Sequence, residues 1–315
     1  MANSPEMLTV PLVILAGSDP NPAALPESGA GLHPIRGYKG MDLMVHGEPL
    51  IDRVVDSYVA SGEFSAVFIA GPERIYGAGR KGARVIDTDG HVGENLRRAI
   101  DAVEQECGPG PLAISACDIL PDAKDLNMVM ADYRAHAPLD FWFPFITAPE
   151  QPQKIGASFW KPRYRIAPKP GAQARDILPG HLAVIDPPAL RMSLIYRVLE
   201  LAYRTRNRPI LYRQTVMAFG TLAALLWRDL QNLVTLRLPT FTWTVLYHST
   251  ALALRLRKGD ISAPEMAVSL RKIFVHYRHR KRYPQRGGRL PLMNALSLAK
   301  DIDTEEEARE AELKA

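Results

Sequence analysis

Cysteine is scarce in this chain. Cys107 and Cys117 are the two that occur in 315 residues, too few for a disulfide scaffold. Cys117 lies in an apolar run and reads as a small buried side chain. No basic stretch precedes the first apolar run, so no secretory signal is expected, and a reducing cytoplasm is the expected compartment. No apolar run reaches the roughly 18–20 uncharged residues that cross a bilayer. No Gly-Lys-Ser/Thr follows the first strand, which excludes a Walker phosphate loop. Acidic residues are missing from Met266 to Lys300, whereas the tail from Asp301 to Ala315 is rich in them. Within a net charge of +5, that asymmetry predicts a basic surface for an anionic partner without saying which anion.

What is present suits a large globular unit. Hydrophobic residues make up 47% of the chain, enough for a real core and unlike a disordered segment. Leu8 to Ala16 reads as a first strand, followed by Gly17, Ser18 and a loop rich in Pro, Gly and Ala up to Gly40. Such a loop can offer backbone N–H groups to phosphates. Lys39 is the one lysine in it, and by spacing alone it reads as a solvated surface residue. A short apolar segment, Met41 to Val45, precedes a helix with apolar residues at Leu50, Ile51, Val54, Val55 and Tyr58, ended by Gly62. Phe64 to Ala70 and Arg84 to Ile86 are further strands. Gly93-Glu94-Asn95 leads into an amphipathic helix over Leu96 to Glu106.

The run Leu112-Ala113-Ile114-Ser115-Ala116 then reads as a buried strand, with Asp118 just past its carboxyl end. That is where open α/β sheets place ligands, but Asp is also a favoured helix cap, and the two readings stand level for Asp118 alone. The alternation of strand and helix up to this point predicts a mainly parallel sheet with crossover helices. A helix over Asp122 to Ala137 follows. After it come a strand over Phe141 to Ile146, bulged or at an edge because of Pro144, and a ribbon over Lys154 to Ile166. A strand ending at Asp186 completes this part.

Beyond Pro188 the pattern becomes helical: Ala189 to Tyr203, Arg213 to Leu236, Phe241 to Arg257 and Ala263 to Tyr277. Residues 189–289 are expected to form a helical insertion or subdomain. Its apolar helices read as a buried core, with an Arg-flanked membrane-surface role as the alternative. The basic and aromatic run from Ile273 to Arg289 could stack bases, but no nucleic-acid fold is recognisable and nucleic acid is not the expected partner.

Taken in order, several segments resemble the nucleotidyltransferases of the glycosyltransferase-A-like fold, and most of all the molybdenum-cofactor guanylyltransferase type. The segments are Leu15-Ala16-Gly17-Ser18, Lys39, Gly47-Glu48-Pro49-Leu50-Ile51, Gly93-Glu94-Asn95, Asp118-Ile119-Leu120-Pro121 and Asp301-Ile302-Asp303-Thr304. The chain departs from the family in having Ser18 for the second glycine. It also lacks a Ser-x-Arg-Met-Gly segment before the lysine, where Arg36 is the nearest arginine.

The resemblance implies a three-layer α/β/α fold with a mixed, mainly parallel sheet in residues 1–188 and 290–315, interrupted by the helices. It implies an NTP and a phosphorylated acceptor as partners, and the apolar, Arg-flanked helices beside such a site would suit an acceptor that is lipid-linked rather than a small molecule. It implies Mg²⁺ held by Asp118 and Asp303, with Asp301 the less favoured ligand, and Lys39 as a catalytic residue. Leu15, Ala16, Gly17, Ser18, Lys39, Gly93 and Asn95 would contact the nucleotide. Lys161, Arg163, Lys169 and Arg175 are weaker candidates for the acceptor phosphate, each equally readable as a solvated cation. A glycosyltransferase of related fold would need Asp-x-Asp at the end of the fourth strand, and Ala116-Cys117-Asp118 lacks the first aspartate.

Overall fold

The structure, a computed structural model, describes residues 9–18, 37–150, 163–205, 210–234 and 241–312. Arg36 and Lys161 lie outside the described residues. The first half runs β1 (Val10–Leu15), α1 (Lys39–Asp42), β2 (Met44–Val45), β3 (Glu48–Pro49), α2 (Leu50–Ser61) and β4 (Phe64–Gly71). It continues through α3 (Glu73–Tyr76), β5 (Gly79–Arg80), β6 (Ala83–Asp87), α4 (Val92–Cys107), β7 (Leu112–Ala116) and α5 (Ala123–His136). Then follow β8 (Phe141–Trp142), β9 (Phe145–Thr147), β10 (Tyr164–Ile166), β11 (Arg175–Pro179) and β12 (Leu182–Ile185). The helices α6 (Met192–Thr205), α7 (Ile210–Val234), α8 (Phe241–Lys258), α9 (Ala263–Phe274) and α10 (Tyr277–Arg282) come next. The chain returns through β13 (Gly288–Arg289), β14 (Leu292–Met293) and α11 (Glu305–Glu312).

An eight-stranded sheet has the order β13-β8-β12-β7-β1-β4-β6-β5. Its centre, β7-β1-β4-β6, is parallel, while β12 runs antiparallel to both β7 and β8. A four-stranded sheet, β10-β11-β9-β14, lies beside it. The side-chain alternation of β1 explains the layering. Val10, Leu12 and Ile14 pack with Val54 and Tyr58 of α2 and Val129 and Tyr133 of α5. Val13 packs in a separate cluster with Leu96, Ile100 and Val103 of α4. Helices therefore cover both faces of a mixed, mainly parallel sheet, and the fold is three-layer α/β/α.

Several boundaries differ from the sequence expectation. Met41 to Val45 is not wholly extended, because α1 takes up residues as far as Asp42. The expected single strand over Phe141 to Ile146 divides at Pro144 into β8, in the large sheet, and β9, in the small one. Proline lacks the N–H that a continuous ladder would use. The expected helix over Ala263 to Tyr277 breaks after Phe274, where Val275 bridges to Leu190 and the His276 amide donates to the Ala189 carbonyl.

The helices do not pack only with one another. α6 lies on α4 and α7, and α8 lies on α7 and α9. Ile261, Ala263 and Ala267 share a core with Phe141, Phe145 and Ile177 of the two sheets. The acid-free stretch is also largely turned inward. Asp140 is fully buried and receives Arg271 Nε at 2.6 Å, His279 Nε2 at 3.1 Å and Arg286 Nε at 3.3 Å. Arg286 also reaches Asp186 at 2.5 Å, and Arg289 grips Asp132 at 2.6 and 2.8 Å. Much of the predicted basic surface therefore neutralises carboxylates from earlier in the chain, leaving Arg278, Lys281 and Arg282 exposed.

Candidate active site

In the parallel centre the strands lie third, second, first, fourth in chain order. The reversal falls between β1 and β7, where an open α/β sheet parts to form a crevice at its carboxyl edge. Leu15 is paired with Ala116 there. Gly17 and Asp118 each follow two residues after that pair, beyond the ends of β1 and β7. Asp118 is not the cap of the following helix. That place belongs to Asp122, whose carboxylate accepts the Asp125 N–H.

The C-terminal segment is joined to Asp118 through the backbone. Ile119 and Asp301 form an antiparallel bridge, and the Ile302 N–H donates to the Asp118 carbonyl at 2.6 Å. A capping box then starts α11. The Glu307 amide donates to Thr304 Oγ1 at 3.2 Å, and the Glu307 carboxylate accepts the N–H groups of Asp303 and Thr304 at 2.7 and 3.2 Å. The run Asp301 to Glu307 thus docks one end on the segment that follows β7 and caps a helix with the other, which fixes Asp303 between them.

Lys39 closes this cluster. Its Nζ lies 3.3 Å from Asp118 Oδ2 and donates to Asp303 Oδ1. The three side chains are only 13%, 18% and 16% exposed, so Lys39 is not a solvated surface lysine. Burial works against its charge, but the carboxylates of Asp118 and Asp303 outweigh it and raise its pKa. Lys39 is therefore an ammonium throughout the neutral range, and both carboxylates are held within reach of one cation.

Gly17 and Asn95 meet on the other side of the crevice. Asn95 is buried, and its Oδ1 accepts Thr88 Oγ1 and the Gly90 N–H, both at 2.8 Å. That turns its amide nitrogen toward Gly17, where an added Cβ would lie 2.6 Å away. Gly17→Ala is expected to cost about 1–3 kcal/mol through overpacking, measured by denaturant unfolding. Unchanged stability would show that Asn95 yields freely. Gly93 has a different neighbour: a Cβ there would lie 2.8 Å from the Tyr196 carbonyl, so its smallness serves the contact of α4 with α6. Beside Asn95, a cavity of about 450 Å³ opens at the carboxyl ends of β4 and β6, lined by Glu73, Arg74, Asp87, Asp89 and Glu94 among others.

The other predicted residues fall elsewhere. Leu15 ends β1, Ala16 donates to Ala70 at 2.9 Å, and Ser18 is exposed. Arg163, Lys169 and Arg175 belong to the hairpin of β10 and β11, beside the junction of α8 and α9, where Ala167 bridges to Ser262. Two residues at the site had no motif to mark them. His181, just before β12, places Nε2 2.7 Å from Asp301 Oδ1. Tyr203, on α6, has its phenol pKa raised by its crowded surroundings and by Asp118, against the opposing pull of Lys39. Tyr203 is 53% exposed. A lone His before a strand and a Tyr on an amphipathic helix carry no spacing signal.

Cys117 is no nucleophile. Burial, reinforced by Asp118, pushes its thiol up to about 12, whereas Cys107 is exposed. A thiol reagent at pH 8 is expected to label one cysteine in the native protein and two after denaturation. Rapid labelling of both in the native state would contradict this burial.

Neither a family model nor a curated protein matches this sequence. Among solved structures, a hypothetical transferase from Thermus thermophilus is similar with a TM-score of 0.54 at 16% identity, over 96% of this chain and 100% of that one. A CMP:2-keto-3-deoxy-manno-octonic acid synthetase complexed with CTP gives a TM-score of 0.42 at 14% identity, over 68% of this chain and 87% of its own. At 16% identity, the likeness to the Thermus protein is one of fold: the α/β architecture that carries the crevice between β1 and β7.

Proposed function

We propose that this chain is a divalent-metal-dependent nucleotidyltransferase, moving a nucleoside monophosphate from an NTP to a phosphorylated acceptor with release of pyrophosphate. The observation that carries this reading is the meeting of Asp118 and Asp303, remote in sequence, on the Lys39 ammonium at the sheet's reversal point. The motif resemblance, including that to the molybdenum-cofactor guanylyltransferase type, supports it and rests in part on the same residues.

The donor set suits a hard divalent cation. Carboxylate oxygens are what Mg²⁺ prefers, and a cationic group already stands on both of them. Asp118 and Asp303 would hold the ion, which supplies charge neutralisation on the reacting phosphates. The backbone at Gly17 and Ser18 receives the triphosphate, and the cavity beside Asn95 receives the base. An acceptor phosphate oxygen attacks the α-phosphorus as the bond to the β-phosphate oxygen breaks, and pyrophosphate departs. Lys39 neutralises charge that grows on the leaving group. No covalent intermediate is needed, because alignment and electrostatics carry the rate.

The acceptor is lipid-linked in the fuller form of this reading. Trp227, Leu230, Trp243 and Tyr247 are exposed on α7 and α8, and Arg257 and Lys258 are exposed at the end of α8. Aromatic and cationic groups in that combination favour a peripheral contact with anionic lipid. No helix among the described residues is long and apolar enough to cross a membrane. Flotation with anionic vesicles at low salt is expected to carry the protein upward, and failure to float would leave a soluble acceptor. The function itself is tested by mixing the protein with each NTP, Mg²⁺ and a panel of phosphorylated acceptors. Acceptor-dependent pyrophosphate release supports it, and tight NTP binding without release would indicate a binding protein instead.

A further inference from the structure

We infer that the metal site includes an imidazole, that of His181, and that it therefore binds Mn²⁺ and similar first-row ions in preference to Mg²⁺. One donor atom each of Asp118, His181 and Asp301 lies within 4.8 Å of the other two. Each donor is fixed by a different rigid segment. Asp118 follows β7. His181 precedes β12, which pairs antiparallel to β7 with Leu182 opposite Ser115, and its amide donates to the Leu298 carbonyl at 2.7 Å. Asp301 is 8% exposed and is bridged to Ile119. Asp303 adjoins the same cluster through Lys39.

The chemistry of this set differs from that of carboxylates alone. Donors about 2.1 Å from a six-coordinate ion stand roughly 3–4 Å apart, so three donors within 4.8 Å need to move by under an ångström. Mg²⁺ is served by oxygen and holds its water tightly, whereas imidazole suits the later divalent ions and carboxylate still suits Mn²⁺. A nitrogen beside two carboxylates thus tilts the preference away from Mg²⁺. The competing role for His181 is a strut, pairing with Asp301 to hold the C-terminal segment on β12. This inference rests on the reading of Asp118 as a metal ligand, and not on nucleotidyl transfer.

The test uses the full chain, stripped of metal and without nucleotide. Titration with Mn²⁺, followed by the loss of the free-ion electron paramagnetic resonance signal, gives the affinity, and competition with Mg²⁺ gives the preference. Pulsed measurements on the bound ion report nitrogen coupling. The expected result is Mn²⁺ binding about tenfold or more tighter than Mg²⁺, with ¹⁴N coupling that His181→Gln removes along with about tenfold of the affinity. Equal affinity for the two ions, or bound Mn²⁺ without ¹⁴N coupling in the unsubstituted protein, would overturn the inference. So would a His181→Gln variant that melts lower yet binds Mn²⁺ unchanged, which is the behaviour of a strut. Coupling without turnover of any NTP would uphold the ion site and count against the transferase reading. Turnover without coupling would do the reverse.

Discussion

Asp118→Asn is expected to cut metal-dependent pyrophosphate release by about 10²–10³-fold or more while leaving the protein folded. Asparagine keeps the shape of the side chain and removes the charge. The backbone contacts that organise this corner, the Ile119–Asp301 bridge and the bond from the Ile302 amide to the residue 118 carbonyl, do not involve the side chain. Lys39 keeps Asp303 as a partner, so no buried cation is stranded. Near-wild-type turnover in a well-folded Asp118→Asn protein would show that the carboxylate is not part of the reacting site. Asp303→Asn is expected to behave in the same way, and its comparison with Asp301→Asn ranks the two carboxylates of the C-terminal segment.

The second large effect concerns Lys39. Lys39→Met removes the cation and leaves Asp118 and Asp303 facing each other. Stranding one side of a buried ion pair costs about 3–5 kcal/mol, and the residual exposure of these side chains brings the expected loss down to about 1–3 kcal/mol in a metal chelator. A divalent ion should then stabilise the variant more than the parent protein, because it no longer competes with an ammonium for the carboxylates. At a hundred times the dissociation constant, binding contributes about 2.7 kcal/mol, enough to offset most of the loss. Pyrophosphate release should remain low even with metal, because the leaving group lacks its cation. Thermal melting with and without Mg²⁺ or Mn²⁺ decides the matter. A variant as stable as the parent, with no extra response to metal, would mean that Lys39 is incidental to the carboxylate pair.

Much of the fold was legible because its strands are short, apolar and separated by amphipathic helices. The alternation in Val10 to Leu15 and the helical spacing of Leu50, Val54 and Tyr58 were sufficient for the layers. The boundaries that shifted did so where tertiary contacts compete with local pattern. Pro144 hands the chain from one sheet to the other, and Leu190 draws Val275 out of its helix. The motif residues Lys39, Asp118 and Asp303 do come together in the fold. Asp118 was marked by its place just past a buried strand, whereas Asp303 and Lys39 were marked only through the family resemblance, since local pattern made the one part of an acidic tail and the other a surface residue. Gly93 matched a motif, but in the structure its missing side chain makes room for Tyr196. The positions of His181 and Tyr203 were illegible, because they come from where β12 and α6 pack. The charge asymmetry was correctly seen but incompletely interpreted. Asp140, Asp186 and Asp132 are scattered along the sequence, and only folding brings them to Arg271, Arg286 and Arg289.

In the proposed reaction this crevice moves the α-phosphorus of an NTP. The most direct measurement supplies each NTP labelled at the α-phosphorus, with a divalent ion and the panel of phosphorylated acceptors, and follows the label. One NTP is expected to deliver its label into the acceptor with stoichiometric pyrophosphate, and Asp118→Asn and Asp303→Asn are both expected to stop the transfer. Label that stays in the NTP while the protein binds it tightly, or leaves as free nucleoside monophosphate whatever the acceptor, would contradict it.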